Sequence, residues 1–291
     1  MTTSLASTNS HKANKQRFNR LIESLRLRLS SRLGLGDPRF DAFIIGFPKV
    51  GNTWLQIMMR KILVSHYGLP DTAIGNILAP REQLPVPMVA MEVTHAMPLL
   101  DSEPWREMRL DLSRYRRKRV ILIIRDVKDV MVSYYMQNRF RENPPLFDGS
   151  IDEMIVGDTW GLGKYLKFYQ TWHDRGREIC DVTLIRYEDM HESTERELRR
   201  AVEAAGIKDV SDQAIHEAVQ YGSFDNMRTL EVNDTLGMYA LSKPKRDDDR
   251  ARKVRNGRVG GHTKHLSGEM AQYLDTQIRE ELPDWYGYPL Q

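Results

Sequence analysis

The 291-residue chain predicts an α/β fold, a single domain with a central parallel β-sheet flanked by helices. Three observations carry that expectation. Short apolar runs alternate with stretches of helical periodicity over most of the length. One run, Arg-Val-Ile-Leu-Ile-Ile at residues 119–124, is continuously apolar after its first residue, as strands buried on both faces of a parallel sheet are. An apolar run at residues 40–45 leads into a glycine-containing turn and then a helix, the corner at which such sheets bind anions.

In chain order, the first strand, residues 40–45, is bounded by Asp37-Pro38 and Gly46. Residues 53–65 form a helix, because Trp54, Ile57, Met58, Ile62 and Leu63 recur at helical spacing. Strands follow at residues 89–93, 119–124 and 182–185, with helices at 127–137, 162–175, 193–205 and 211–221. Arg125 and Tyr187 fall at strand ends, where ligands bind in such sheets. From residue 229 to 264 periodicity fails and charge is dense, with Gly257, Gly260 and Gly261 available for close approach to an anion. A long irregular segment within a domain reads as a lid, here over residues 229–264, or as a disordered stretch.

The domain spans residues 39–291, and residues 1–38 form an N-terminal extension. Within the extension, residues 16–33 interleave leucines with arginines and predict a basic amphipathic helix that docks before the first strand. A targeting segment or a membrane-resting helix is the alternative.

Composition narrows the function. A net charge of +3 suits an anionic small molecule, and no run of like charge argues for nucleic acid. The single cysteine, Cys180, excludes an intramolecular disulfide and a multi-cysteine zinc site. No apolar stretch approaches the length of a membrane span.

Residues 46–54 read Gly-Phe-Pro-Lys-Val-Gly-Asn-Thr-Trp. Gly46, Gly51 and Thr53 keep the P-loop spacing, but Asn52 stands where the P-loop lysine belongs and the lysine lies inside the loop as Lys49. The anion cradle is kept without the lysine-plus-magnesium arrangement of an NTPase, which points to transfer of a group other than the γ-phosphoryl of ATP. Arg125 is a forked donor suited to phosphate, with Ser133 two turns into the next helix. The plainer reading of Arg125 is an ion pair with Asp126 or Asp129.

Together these motifs resemble the cytosolic sulfotransferases. Pro48, Lys49, Gly51, Thr53 and Trp54 match that family's Pro-Lys-Ser-Gly-Thr-Thr-Trp, with Val50 and Asn52 departing from it. Arg125, Asp129, Ser133, Tyr134 and Tyr135 match its Arg-x-Pro-x-Asp-x-x-x-Ser-Tyr-Tyr, with Val127 for the proline. Arg255, Gly257 and Gly260 keep part of a C-terminal Arg-Lys-Gly-x-x-Gly-Asp-Trp, while Tyr187-Glu188-Asp189-Met190 and Ser223-Phe224 match shorter pieces.

The resemblance implies 3′-phosphoadenosine 5′-phosphosulfate (PAPS) as sulfuryl donor, 3′,5′-adenosine bisphosphate (PAP) as product, and no metal. It implies that Lys49, Gly51, Asn52 and Thr53 form a phosphosulfate loop, that Arg125, Ser133, Arg255 and Gly257 hold the 3′-phosphate, and that Trp54, Tyr187 and Phe224 flank the adenine. In the family a histidine follows a short strand within Lys-Thr-His; here Val93-Thr94-His95 makes His95 the general base and replaces the lysine. The acceptor is expected to be a polar small molecule, a natural product with hydroxyl or nitrogen nucleophiles, contacted by residues 79–89, 138–160 and 238–245. Carbohydrate and peptide acceptors stay open, as does the choice between monomer and homodimer. A cytoplasmic location goes with the family. The competing readings are a P-loop nucleotide kinase or NTPase, which predicts a lysine at position 52, and a non-catalytic nucleotide-binding module.

Overall fold

The computed structural model describes residues 33–96, 103–245 and 248–288, together with Leu25, Leu29 and Ser30. The helix expected over residues 16–33 lies almost wholly outside the described residues.

Four strands form one all-parallel sheet: β1 (Ala42–Gly46), β2 (Met91–Thr94), β3 (Arg119–Ile124) and β4 (Asp181–Arg186), in the order β2-β1-β3-β4. Each β1 residue is buried, and β3 is buried beyond Arg119, as continuous apolar runs require in a sheet covered on both faces. Ile44 of β1 sits opposite Val93 of β2 and Ile121 of β3. The chain leaves β1 toward β2 and returns past it to β3. The carboxyl ends of β1 and β3 therefore flank the point where strand order reverses, the crevice in which open α/β sheets bind ligands.

The edge strand starts two residues later than the expected 89–93. Ala90 is held by Asp41 instead: its N–H donates to Asp41 Oδ2 at 2.9 Å, and its carbonyl accepts from the Asp41 N–H at 2.8 Å. Pairing with β1 begins only at Met91.

The helices are α1 (Asn52–His66), α2 (Val127–Met136), α3 (Ile151–Val156), α4 (Leu162–Thr171), α5 (Tyr187–Glu192), α6 (Thr194–Ala205), α7 (Asp212–Tyr221), α8 (Phe224–Val232) and α9 (Gly268–Glu281). Helices α1, α6 and α7 pack together beside β1, β3 and β4, while α2, α3, α4 and α9 form a second group. Helices α2 and α4 were expected to run on to residues 137 and 175; each instead widens into a π-turn, Gln137–Arg141 and Trp172–Gly176. π-turns recur at functional sites, and the first one turns Gln137 and Asn138 into the cavity described below. The segment 229–264 is more ordered than its sequence suggests. Its first residues belong to α8, and three short 3₁₀ turns, Tyr239–Leu241, Asp249–Ala251 and Gly261–Lys264, punctuate the rest.

An aromatic cluster fixes the turn after β1. Phe47 is fully buried and meets the rings of Tyr134 and Tyr165 edge-on, each at 5.4 Å between centroids. Tyr169 donates its hydroxyl proton to the Ile123 carbonyl at 2.7 Å and accepts from the Phe47 N–H at 3.4 Å, tying this turn to β3. Burial of a phenylalanine contributes about 2–3 kcal/mol, so the loop base is a rigid part of the core.

Candidate active site

Each strand delivers one group to the same edge of the sheet. β1 ends in the glycine loop, β2 is followed by His95, β3 by Arg125 and β4 by Tyr187. They line one cavity of about 400 Å³, within the range of small-molecule sites. Every residue singled out in the sequence as catalytic or nucleotide-binding also lines it.

The loop has the backbone of an anion nest. Lys49 is left-handed at φ 74° and Gly51 follows at φ 108°, a conformation a side chain would strain. A Cβ on Gly51 would also come within 2.6 Å of the Tyr187 ring. No side chain caps α1 and no acid lies in its first turn, so its N-terminal amides and dipole face the cavity uncompensated. Val50 is fully buried against the sheet side.

Lys49 Nζ donates to Gln137 Oε1 at 3.2 Å, and Gln137 in turn donates to Glu142. Burial, then the neighbouring charges of Lys253 and Arg141, hold the Lys49 ammonium pKa well below its usual value. His95 Nδ1–H donates to the Gly46 carbonyl at 2.7 Å, which leaves the Nε2 lone pair free. Asn52 Nδ2 lies 3.1 Å from the same carbonyl and 3.2 Å from His95 Nδ1, so loop, helix start and imidazole share one anchor. Burial pushes the His95 pKa down to about 4; Lys253 and Lys49 push the same way, and the Gly46 hydrogen bond opposes them.

Arg125 makes the ion pair that its plainer reading expects. It pairs with Asp129 at 3.0 Å and reaches the Arg258 carbonyl at 3.1 Å, and its guanidinium stacks on Tyr187 at 4.1 Å from the ring centroid. Its Nε is buried without a partner among the described residues, as is Asn138 Nδ2. Two buried donors without acceptors, beside an uncapped helix start, fit a polyanionic ligand such as PAPS.

Asp129 is also a latch. Its carboxylate accepts from the backbone N–H groups of Gly260 and His262, both at 2.9 Å. Arg255, on the same segment, lies 3.4 Å from His265 Nε2. Gly257 has φ 54°, and a Cβ there would meet the Phe224 ring at 2.5 Å, so the segment can close on Phe224 only through glycine. Trp54 donates its indole N–H to the Gly222 carbonyl at 2.9 Å, and its ring lies 5.7 Å from Tyr187 and 4.8 Å from His191.

His191, which follows Tyr187-Glu188-Asp189-Met190 directly, and Gln137 also line the cavity, and no motif marks either of them. Of the segments expected to meet an acceptor, residues 79–89 contribute nothing to the cavity lining, whereas Asn138, Glu142 and Tyr239 do. Charged residues elsewhere in them serve structure: Arg81 pairs with Asp41, Asp158 with Arg106, and Arg141 with Glu231.

Fold and cavity together define an α/β protein with a nest-shaped glycine loop at the switch point of a parallel sheet. The family described as sulfotransferase domain matches residues 39–286, and the chain belongs to that family. It is 21% identical over 257 residues to sulfotransferase 1E1 of Bos taurus, covering 83% of each chain. It is 23% identical over 260 residues to flavonol 3-sulfotransferase of Flaveria bidentis, covering 83% of this chain and 81% of that one. The crystal structure of mouse sulfotransferase SULT7A1 complexed with PAP shares the fold, with a TM-score of 0.57 at 18% identity over 86% of each chain. No helix among the described residues is long and apolar enough to cross a membrane.

Proposed function

We propose that this sulfotransferase moves the sulfuryl group of PAPS to a hydroxyl, or to an amine or amide nitrogen, of a small polar acceptor, with His95 as general base. The observation that carries this reading is the convergence of Lys49, His95, Arg125 and Tyr187 from four strand ends on one cavity. PAP in the mouse relative supports the choice of donor.

When bound, PAPS supplies a sulfuryl group already activated by a phosphate leaving group. The α1 amides and the Thr53 hydroxyl would hold the 5′-phosphate, and Lys49 would supply positive charge beside its leaving oxygen. Arg125 Nε, Ser133, Arg255 and the Gly257 backbone hold the 3′-phosphate. Trp54, Tyr187 and Phe224 flank the adenine. His95 Nε2 takes the acceptor proton, a contribution on the order of 10²–10⁴-fold. A dianion beside Lys49 offsets the cations that depress His95, so the imidazole becomes a stronger base when the donor is bound.

Gln137, Asn138, Glu142 and Tyr239 give the remaining lining hydrogen-bonding character, which supports a polar acceptor. The same reading makes residues 229–264 a lid on a catalytic domain of residues 39–291, and residues 1–38 an extension. It takes the enzyme as metal-independent, cytoplasmic, and a monomer or homodimer.

Calorimetric titration with PAP, beside ADP with magnesium, tests it. Metal-independent binding of PAP, weakened in Arg125→Ala, together with turnover that is lost in His95→Ala, is the expected result. Preference for magnesium-ADP would replace this reading with a kinase.

A further inference from the structure

The cavity contains a cation with no role so far. Lys253 lines it together with Lys49 and His95, yet Lys253 comes from the lid rather than from the sheet. Its backbone is fixed by Glu231, which is wholly buried. The Lys253 N–H donates to Glu231 Oε1 at 2.7 Å and the Val254 N–H to Oε2 at 3.0 Å. Arg141 donates to the same carboxylate at 2.8 Å and to the Ala251 carbonyl at 2.8 Å. Glu231 is thus already engaged by two amides and a guanidinium. The Lys253 ammonium lies 5.6 Å from the Tyr239 ring centroid and makes no salt bridge among the described residues. A half-buried ammonium held without a carboxylate costs free energy unless a ligand brings the negative charge.

The sheet lacks a counterpart. Where the sulfotransferase pattern has a lysine, two residues before His95, this chain has Val93, in register with Ile44.

Resting on the sulfotransferase reading above, we propose that Lys253 is a catalytic cation of the transfer site: its ammonium contacts the sulfuryl oxygens and neutralises charge that Val93 cannot. In that step the acceptor oxygen bonds to sulfur as the bond from sulfur to the 5′-phosphate oxygen breaks. The electron pair leaves on the phosphate, and the acceptor proton passes to His95. Because Lys253 is carried by the lid, the charge complement of the site is complete only when residues 253–254 are seated on Glu231. Closure and chemistry are thereby coupled. Electrostatics agree: the Lys253 charge follows only burial among the causes that lower Lys49, and it also lowers His95.

The test uses the full chain, with transfer from 4-nitrophenyl sulfate to PAP as the probe reaction and calorimetric PAP binding alongside. Lys253→Met should lower kcat about 10²-fold while the PAP dissociation constant stays within about threefold. Lys253→Arg, which keeps the charge, should recover most of the loss.

The pH profile adds a second readout. Burial, then Arg141, push the Lys253 pKa down to about 8. The titratable and charged groups facing it are Arg141 and Glu142 of the turn after α2, Glu231 of α8, Lys49 of the loop, His95 after β2 and Tyr239; all persist in the variant. Wild-type kcat/KM should therefore fall as pH rises through about 8, and this limb should move to higher pH in Lys253→Met.

A Met variant that binds PAP and turns over within about threefold of wild type overturns the proposal. So does a loss of PAP affinity as large as the loss in rate, since Lys253 would then serve binding alone. If Lys253→Met does not fold, an Arg variant that folds and binds PAP but is as slow as His95→Ala overturns it too. Wild-type protein that binds no PAP would instead sink the sulfotransferase reading itself.

Discussion

The loop at residues 46–53 and the segment at residues 229–264 line the same cavity by different physics. The loop is shaped by its own backbone: left-handed Lys49 and Gly51, an uncapped helix start, and Phe47 locked in the aromatic core. The part of the segment beyond α8 is held by two buried carboxylates, of α8 and α2, that receive its amides. Glu231 takes those of Lys253 and Val254, and Asp129 takes those of Gly260 and His262. A backbone nest is rigid and always formed. A carboxylate clamp can release one segment without disturbing the sheet, as the proposed nucleotide site requires.

The largest effect should come from breaking the clamp. Glu231→Gln leaves Arg141 buried without its partner, and removing one member of a buried pair costs about 3–5 kcal/mol. Denaturant midpoints should fall, and amide exchange at Lys253 and Val254 should accelerate more than at Ile44. For contrast, breaking the exposed Arg199–Asp212 pair should cost less than about 1 kcal/mol. Equal exchange at the lid and in β1 would show that the two regions are one cooperative unit.

The loop should respond in binding as well as in stability. Gly51→Ala places a Cβ against Tyr187 at a φ of 108°, so the cradle must shift. A displacement of about 1 Å in a positioned site costs on the order of 10²-fold, here in PAP affinity by calorimetry. An unchanged affinity would mean that the loop is as adaptable as the lid.

Where the two meet, Phe224 is 40% exposed and packs on Gly257. Phe224→Ala should weaken PAP binding about tenfold through lost stacking and leave stability within about 0.5 kcal/mol. A stability loss matching the affinity loss would make Phe224 a core residue rather than a contact for the base.

The same division decides what the sequence discloses. The sheet centre and the loop were legible because their signals are local: an apolar run, two glycines at fixed spacing, and an arginine directly after a strand. Glu231 and Lys253 were not, since the bonds that give them meaning join residues of α8 and the lid, and Asp129 reaches across the chain to Gly260. Glu231 sits at an ordinary helical position, and nothing in its neighbours marks it as fully buried. The late start of β2 has the same origin, because Ala90 answers to Asp41 rather than to its own β-propensity. The charges of Arg81 and Asp158, read as acceptor contacts, are spent in ion pairs that spacing does not reveal.

The smallest effect is the most specific. If Lys253 is kept for a ligand's charge, it should burden the empty protein. Its pKa falls from 10.5 in the unfolded chain to about 8 in the fold, so folding disfavours the charged form. The penalty is fully present below about pH 8 and fades as pH rises toward the unfolded value. Lys253→Met should therefore stabilise the ligand-free protein at pH 7 by about 1 kcal/mol, well below what the whole shift would give, because the lysine is only half-buried and its neighbours relax. The gain should shrink by pH 10. Saturating PAP should leave the gain largely in place, since the bisphosphate carries no sulfuryl group and binds both proteins within about threefold. Loop residues face no such trade: Gly51→Ala should lose stability and affinity together at every pH. Thermal midpoints with and without PAP at the two pH values separate the cases, and a Lys253→Met variant less stable than wild type at pH 7 would place Lys253 in the fold rather than in the chemistry.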